Sequence, residues 1–526
     1  MKLNSIILYF FLIPTFLFSD NRLRLKKADI LESKVINGEK IQFISGNVTF
    51  QKGTLTLDCE KGKYIEKKEI AYLYNEVVTT QEGRTLTCDT LIFNSKLDML
   101  TSHGNPHVWD NDYDLTSDSL VFYTEIDSGI AVGNVHLNQK GQIITANRIE
   151  YVKGPNEDGV FYKAIGHVTI EDSTQIASCG LAIYDRTNEK TTLKVKPVIK
   201  EGKRILSGSE ITLSYSNEIL ENIDIPKQAH AQTITTGWTK IGPDSLKKKR
   251  PTKYSDDMTG NQLRGFFTEG YLDSLRLEGM ATTLYHVFED SIYQGKNLAS
   301  GDTITMLFAD STLDRIVIVG GSEGTYAPDS SASDISDPVS YHANIIDYNV
   351  ITEEMDLIGK ASILNEETHL EAGFINVSWT TNLLTALPVQ SGDTLATPFQ
   401  PVINEKGQDP MEGDILTYNL KSRKGKAIKG KTKADDGFYT GNEIRNETKE
   451  VFYIQNSTYT TCDLIVPHFH FKSKQMKVIN GDKVIARPII LNIGKIPVFG
   501  LPLGVFPHKG GARHSGWIMP SFGEHR

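Results

Sequence analysis

Along residues 40 to 215, apolar and polar side chains alternate over short runs, and stretches such as Val48-Thr49-Phe50 and Ile143-Ile144-Thr145 are rich in strand-forming residues. Period-two alternation rich in β-branched and aromatic residues predicts half-buried strands. Turn residues such as Asp-Ser-Gly and Lys-Gly-Gln separate the runs, and no stretch carries a helical period. The alternation is organised into a repeat. A unit opening on Gly-Asn-Val or a variant of it starts at Gly46, Asn75, Gly104, Gly133 and Gly166, with spacings of 29, 29, 29 and 33, and a sixth copy starts near Lys196. Thirteen residues into each copy stands a small residue: Cys59, Cys88, Ser117, Ala146, Cys179 and Ser209. An acid or amide usually follows it, at Glu60, Asp89, Asp118, Asn147 and Glu210. Five residues after the small slot comes an aromatic, at Tyr64, Phe93, Phe122, Tyr151 and Tyr184, slipping by one place to Tyr215 in the last copy.

A unit of two or three short strands cannot bury its apolar face alone, so the copies must stack. Stacking places equivalent side chains in columns about 4.8 Å apart. The small column then reads as a slot that admits little volume, and the acidic column as one facing water. Leu91 and Val121 are expected on the face opposite the aromatic column. Residues 20–235 form this first repeat region. Residues 236–258, with Pro243, Lys247-Lys248-Lys249-Arg250 and Pro251, read as a linker or loop. A longer repeat follows in 259–412: Gly260, Phe267 and Gly279 match Gly301, Phe308 and Gly320, each 41 apart, and Gly359 signals a third copy. The apolar stretch Ile489 to Phe506 holds three glycines and two prolines, which favours short strands with tight turns over a helix.

The N-terminus changes the compartment. Lys2, the apolar run Ile6 to Phe18 and a small residue at Ser19 have the form of a signal peptide over 1–19, too short for a membrane span. The chain of 526 residues has a net charge of −9, which argues against a nucleic-acid partner.

Chemical motifs are sparse. Gly425 to Thr432 fits GxxxxGK[ST], but a turn signal and no helix follows, so a phosphate loop is not expected. His468 and His470 would share a strand face without an evident third ligand, and no metal or cofactor is expected. Cys59 and Cys88 occupy one slot in neighbouring copies, either bridged across adjacent rungs or standing as buried thiols. Nothing in the chain calls for an enzyme.

The most specific segment is the last. Tyr459-Thr460-Thr461-Cys462-Asp463 precedes Pro467-His468-Phe469, and then come GDKVIARPIILNIGKIPVFGLPLGVFP and RHSGWIMPSFG. This segment resembles the lipopolysaccharide-assembly family LptD (OstA), and the repeats at 46 to 215 resemble the bridge proteins LptA and LptC and the matching domain of LptD. The resemblance implies an all-β fold: stacked antiparallel repeats forming a β-taco or β-jelly-roll solenoid. In that reading 413–512 is the end of the periplasmic domain leading to the barrel and 513–526 the start of the first barrel strand. The rest of the outer-membrane β-barrel is absent from this chain, as a fragment or as a split protein. The implied function is to receive lipopolysaccharide from an LptA-like bridge, joined by edge-strand addition, and to pass it through an apolar groove towards the barrel for insertion in the outer leaflet. An LptE-like lipoprotein would accompany the barrel. The protein would be exported, belonging to the cell outer membrane with this part in the periplasm. Phe93, Phe122, Tyr151 and Tyr184 are the groove candidates, Cys462 the cysteine that would bond to the barrel, and Pro520 the lateral-gate candidate. The alternatives are a barrel-less bridge or scaffold of the LptA type, and an exported β-solenoid acting on polysaccharide, a class that usually clusters carboxylates rather than spacing them singly down a column.

Overall fold

A computed structural model describes residues 22–507 except 112, 125, 127, 140, 154–159, 242–247, 311, 331–332, 334–336, 367, 390–398, 435–436 and 449. The leader at 1–19 and the segment 513–526 with Pro520 lie outside the described residues. Among the described residues every regular element is a strand, and consecutive strands pair antiparallel through almost the whole chain. Two compact units result: 1–235 with 255–279 and 308–312, and 236–254 with 280–307 and 313–526.

In the first unit the repeat landmarks explain the shape of each strand. A strand such as Glu39–Lys52 is interrupted halfway by two residues with left-handed backbone, Gly46 (φ 76°) and Asn47 (φ 47°). The pairing register breaks there, between Ser45 and Val48, and again at Asn75-Glu76, Gly133-Asn134 and Gly166-His167. Two adjacent left-handed residues turn the strand through a corner. Each long strand therefore contributes one half to each of two arms, which face each other across an apolar interior.

The small slot lies on the inner side of this corner. Cys59, Cys88, Ser117, Ala146 and Cys179 are all buried. Cys59, Cys88 and Ser117 each donate to the carbonyl two residues on, at 3.2, 3.3 and 3.1 Å. A thiol and a hydroxyl are equivalent there because each supplies one donor in little volume. The acids stand outside. The amide nitrogens of Asp29, Asp89 and Asp118 donate to the carbonyls of Gly46, Gly104 and Gly133 at 2.9, 3.1 and 2.9 Å. Asn47 and Asn134 donate from their side chains to Asp29 and Asp118. Because neighbouring strands run antiparallel, acids and glycines alternate down one corner line. At one rung the roles are exchanged: Gly180 takes the acid position, and the left-handed position is Val195 (φ 63°).

The longer repeats use the same corner. Gly279, Gly320 and Gly359 have φ near 80° and lie against Asn261, Asp302 and Asn344. The linker reading of 236–258 is corrected. Strands Ala229–Ile241 and Lys248–Gly260 occupy most of it. The basic residues and Pro251 had suggested a loop, but Lys249, Arg250, Pro251 and Lys253 are exposed, where charge costs nothing and a missing N–H is tolerated. In the second unit, Gly425–Ala434 is one strand, so the GxxxxGK[ST] match has no helix beside it. The glycine- and proline-rich apolar stretch forms short strands Ile489–Ile493, Ile496–Leu501 and Gly504–Pro507.

Candidate functional site

The aromatic column is one cross-strand row on the inner face of the first unit. Direct pairing runs Tyr64, Ala71, Phe93, Leu100, Phe122, Gly129, Tyr151, Tyr162, Tyr184 and Thr191. Directly opposed residues share a face, and the row is largely buried: Phe93 0%, Leu100 6%, Tyr162 1% exposed. Leu91 is a correction. Two residues from Phe93, it shares that inner face and is fully buried, whereas Val121 is the outward neighbour of Phe122.

Gly129 breaks the row. It supplies no side chain between Phe122 and Tyr151, and a cavity of about 140 Å³ lies beneath it, between the arms. Leu55, Leu86 and Leu137 line it from one arm, and Leu120, Phe122 and Tyr151 from the other. Phe122 and Tyr151 thus meet the cavity. Phe93 and Tyr184 are buried in the same row outside its lining. Tyr162 belongs to this group and escaped the repeat pattern, since it stands on the return strand; its ring centroid is 5.0 Å from that of Tyr151 and 6.1 Å from that of Tyr184.

Where the arm tips meet, polar groups gather. Lys52 Nζ, at the tip of one arm, reaches Asp98 Oδ1 at 2.5 Å and the Ser95 carbonyl at 3.0 Å on the other, and sits 5.7 Å from the Phe93 centroid. The pair is mostly enclosed, with side chains 10% and 19% exposed. Farther along, the Arg84 guanidinium lies 5.8 Å from the Tyr113 ring centroid and 5.9 Å from that of Phe122. Neither cation was evident in the sequence, because the partners lie far apart along the chain.

The four cysteines are free thiols. Cys59 and Cys88 belong to strands Leu55–Ile65 and Arg84–Asn94, which are separated by Ile70–Gln81, so they do not stand on adjacent rungs. Burial pushes the thiols of Cys59, Cys88 and Cys179 up to about 11, 12 and 11. Cys462 is half-exposed, with Sγ 3.7 Å from His468 Nδ1. At pH 7.5 a maleimide should therefore label Cys462 alone in the folded chain, and all four cysteines after denaturation. Labelling of two or more cysteines before unfolding, counted by intact mass, would contradict the buried column. His470 has a pKa lowered by desolvation and by Lys472. Among the described residues no cluster of three His, Cys, Asp or Glu side chains could hold a metal ion.

Residues 114–219 match the family model described as LptA/(LptD N-terminal domain) LPS transport protein, and residues 484–526 match that of LptD protein. No curated protein matches the chain. Among solved structures, LptH from Pseudomonas aeruginosa, the LptA homologous periplasmic component of the conserved lipopolysaccharide transport device, aligns at 17% identity. That alignment covers 24% of this chain and 79% of LptH, with a TM-score of 0.20.

Proposed function

For a chain that carries two segments of the LptA/LptD lipopolysaccharide-transport family, a family of transport proteins rather than enzymes, we propose that the first unit is a conduit for the acyl part of lipopolysaccharide. The observation that carries this reading is the cavity under Gly129. It lies between two facing arms, is walled mainly by aliphatic and aromatic side chains, and draws much of its wall from within the matched 114–219 segment. Acyl chains gain by leaving water for such a space, while sugars and phosphates stay outside the arm tips.

Two further features support the route. The strand Ile30–Ile36 is exposed along its length and, among the described residues, pairs on one side only, with Glu39–Lys52. An open edge of this kind suits addition of a strand from an LptA-like bridge protein. At the other end of the chain, Ile496, Val498, Leu503 and Val505 are each more than half exposed. They lie within the matched 484–526 segment, and an apolar surface there suits a membrane or barrel neighbour better than the aqueous surroundings of a barrel-less bridge. In this reading the protein serves at the outer membrane with an LptE-like lipoprotein beside the barrel. Cys462 is the thiol available to a barrel cysteine, and Pro520 is the gate candidate.

Photo-crosslinking in the native cells tests the conduit. A benzoyl-phenylalanine at position 122 or 151 should form energy-dependent adducts with lipopolysaccharide. One at Val152, which is 49% exposed on the outward face, should not. Adducts at all three positions, or at none, would leave the unit as a scaffold.

A further inference from the structure

The interior rows of the first unit are apolar with a few exceptions; Ser95, Gln142 and Thr191 are buried elsewhere in it, and three others meet at one cavity. On the arm facing the aromatic row, the inward line runs Phe50, Leu57, Thr79, Leu86, Val108, Leu115, Leu137 and Ile144. Thr79 is its polar member and is 4% exposed. One step nearer the tip of the same arm the line becomes polar. Gln81 pairs with Arg84, and Gln139 pairs with both Tyr113 and Gln142. Gln139 is 3% exposed. Thr79 Oγ1, Gln139 Oε1 and Arg84 Nε are all buried without a hydrogen-bond partner. All three residues line the cavity beneath Gly129.

A buried polar atom without a partner destabilises the empty fold, and an isosteric apolar residue would remove that penalty. Three such atoms around one cavity are therefore explained by something the cavity receives. Their chemistry specifies it: Gln139 Oε1 accepts, Arg84 Nε donates, and Thr79 Oγ1 does either. Ester carbonyls and phosphates offer acceptors only. A secondary amide offers an N–H and a carbonyl within one short group. The depth agrees, because Thr79 and Gln139 lie just inside the apolar rows, where the root of an acyl chain would sit, while a charged headgroup would remain outside.

We propose that Thr79, Gln139 and Arg84 form a hydrogen-bonding collar that selects acyl chains joined to their headgroup through an amide. The proposal rests on the conduit reading above and adds a selectivity that a purely apolar groove would lack.

Two probes with a glucose-type ring and one chain length separate the two ideas: N-dodecanoyl-glucosamine, whose chain is joined by an amide at C2, and dodecyl glucoside, whose chain is joined by a glycosidic oxygen at C1. Binding to the full chain is measured by titration calorimetry below the micelle concentration of either probe. The wild type should bind the amide about tenfold more tightly. Thr79→Val and Gln139→Leu should each remove most of that preference and change glucoside affinity less than twofold. The thermal midpoints of both empty variants should hold or rise, since the atoms removed have no partner in the empty protein. Glucoside binding with no amide preference in the wild type would overturn the collar and spare the conduit. Loss of both affinities together with a lower midpoint would mark Thr79 and Gln139 as ordinary structural residues and overturn it as well. Failure of both probes to bind the wild type would overturn the collar and the conduit alike.

Discussion

Replacing Phe93 with alanine should cost the first unit about 3–5 kcal/mol, whereas Phe122→Ala should cost only about 1 kcal/mol, although the two residues hold equivalent places in the repeat. The difference is one of surroundings. Phe93 is fully buried, with Ala71 and Leu100 opposite it on the adjoining strands. Neither backbone can collapse into the space its ring would vacate, so the lost burial is compounded by a void. Lys52 Nζ, 5.7 Å from the ring centroid, would lose that contact too. Phe122 is half-exposed and already borders a cavity, where Gly129 offers no side chain to pack against. Its removal enlarges existing space. Hydrogen exchange across 84–103 reads the effect in the first unit alone. Equal losses of protection in the two variants would show that Phe93 is not the packing centre of its row.

Gly133→Val should destabilise the same unit by about 3 kcal/mol or more, from two separable causes. Gly133 has φ 81°, which a β-branched residue adopts only under strain. A Cβ built there also falls 2.1 Å from Asp118 Oδ2 and 2.8 Å from Asp118 Cβ, so the carboxylate cannot merely swing aside. The second cause is removable. At the rung where Gly180 and Val195 meet, the chain tolerates valine in the left-handed position because a glycine stands opposite, with the Gly180 amide donating to the Val195 carbonyl at 2.9 Å. Asp118→Gly combined with Gly133→Val should therefore recover at least about 1 kcal/mol relative to Gly133→Val alone, a coupling expected of residues in contact. Additive losses in the double variant, measured by thermal unfolding, would show that the Asp–Gly contact plays no part.

The corner explains why so much of the fold was legible in the sequence. Every rung must pass the same bend. The bend demands left-handed backbone on one strand and a small buried donor or methyl beside it, so Gly-Asn and Cys-or-Ser recur at fixed intervals. The aromatic row was legible for a similar reason, as one inward position per copy. What escaped notice depends on pairing. Antiparallel neighbours interleave the two landmarks, so the meeting of Asp118 with Gly133 does not follow from either column alone. Tyr162 lies on the return strand, outside the counting that found Tyr151 and Tyr184. The cavity arises from a side chain that is missing at Gly129, and its polar rim draws on Thr79, Arg84 and Gln139, which only the register brings together. The segment 236–258 misled because lysines and prolines mark both loops and solvent-facing edges of strands.

The place where the copies differ in length carries a consequence of its own. The spacing from Gly133 to Gly166 is 33 where its predecessors are 29, and the two strands between these corners, Gln142–Lys153 and Val160–Glu171, keep their pairing on either side of the bend. Part of the surplus lengthens these two strands at their far end, where Lys153 pairs with Val160 one step beyond the five pairs that run from Lys61–Tyr74 to Ile65–Ile70 in an earlier copy. Corners hold phase and tips absorb irregularity. A duplicated period would thus add two strands to each arm and extend the stack by about 10 Å without disturbing any existing contact. The reach of such a protein across a gap is a quantity that whole-period duplication or deletion can adjust in discrete steps, independently of the chemistry inside.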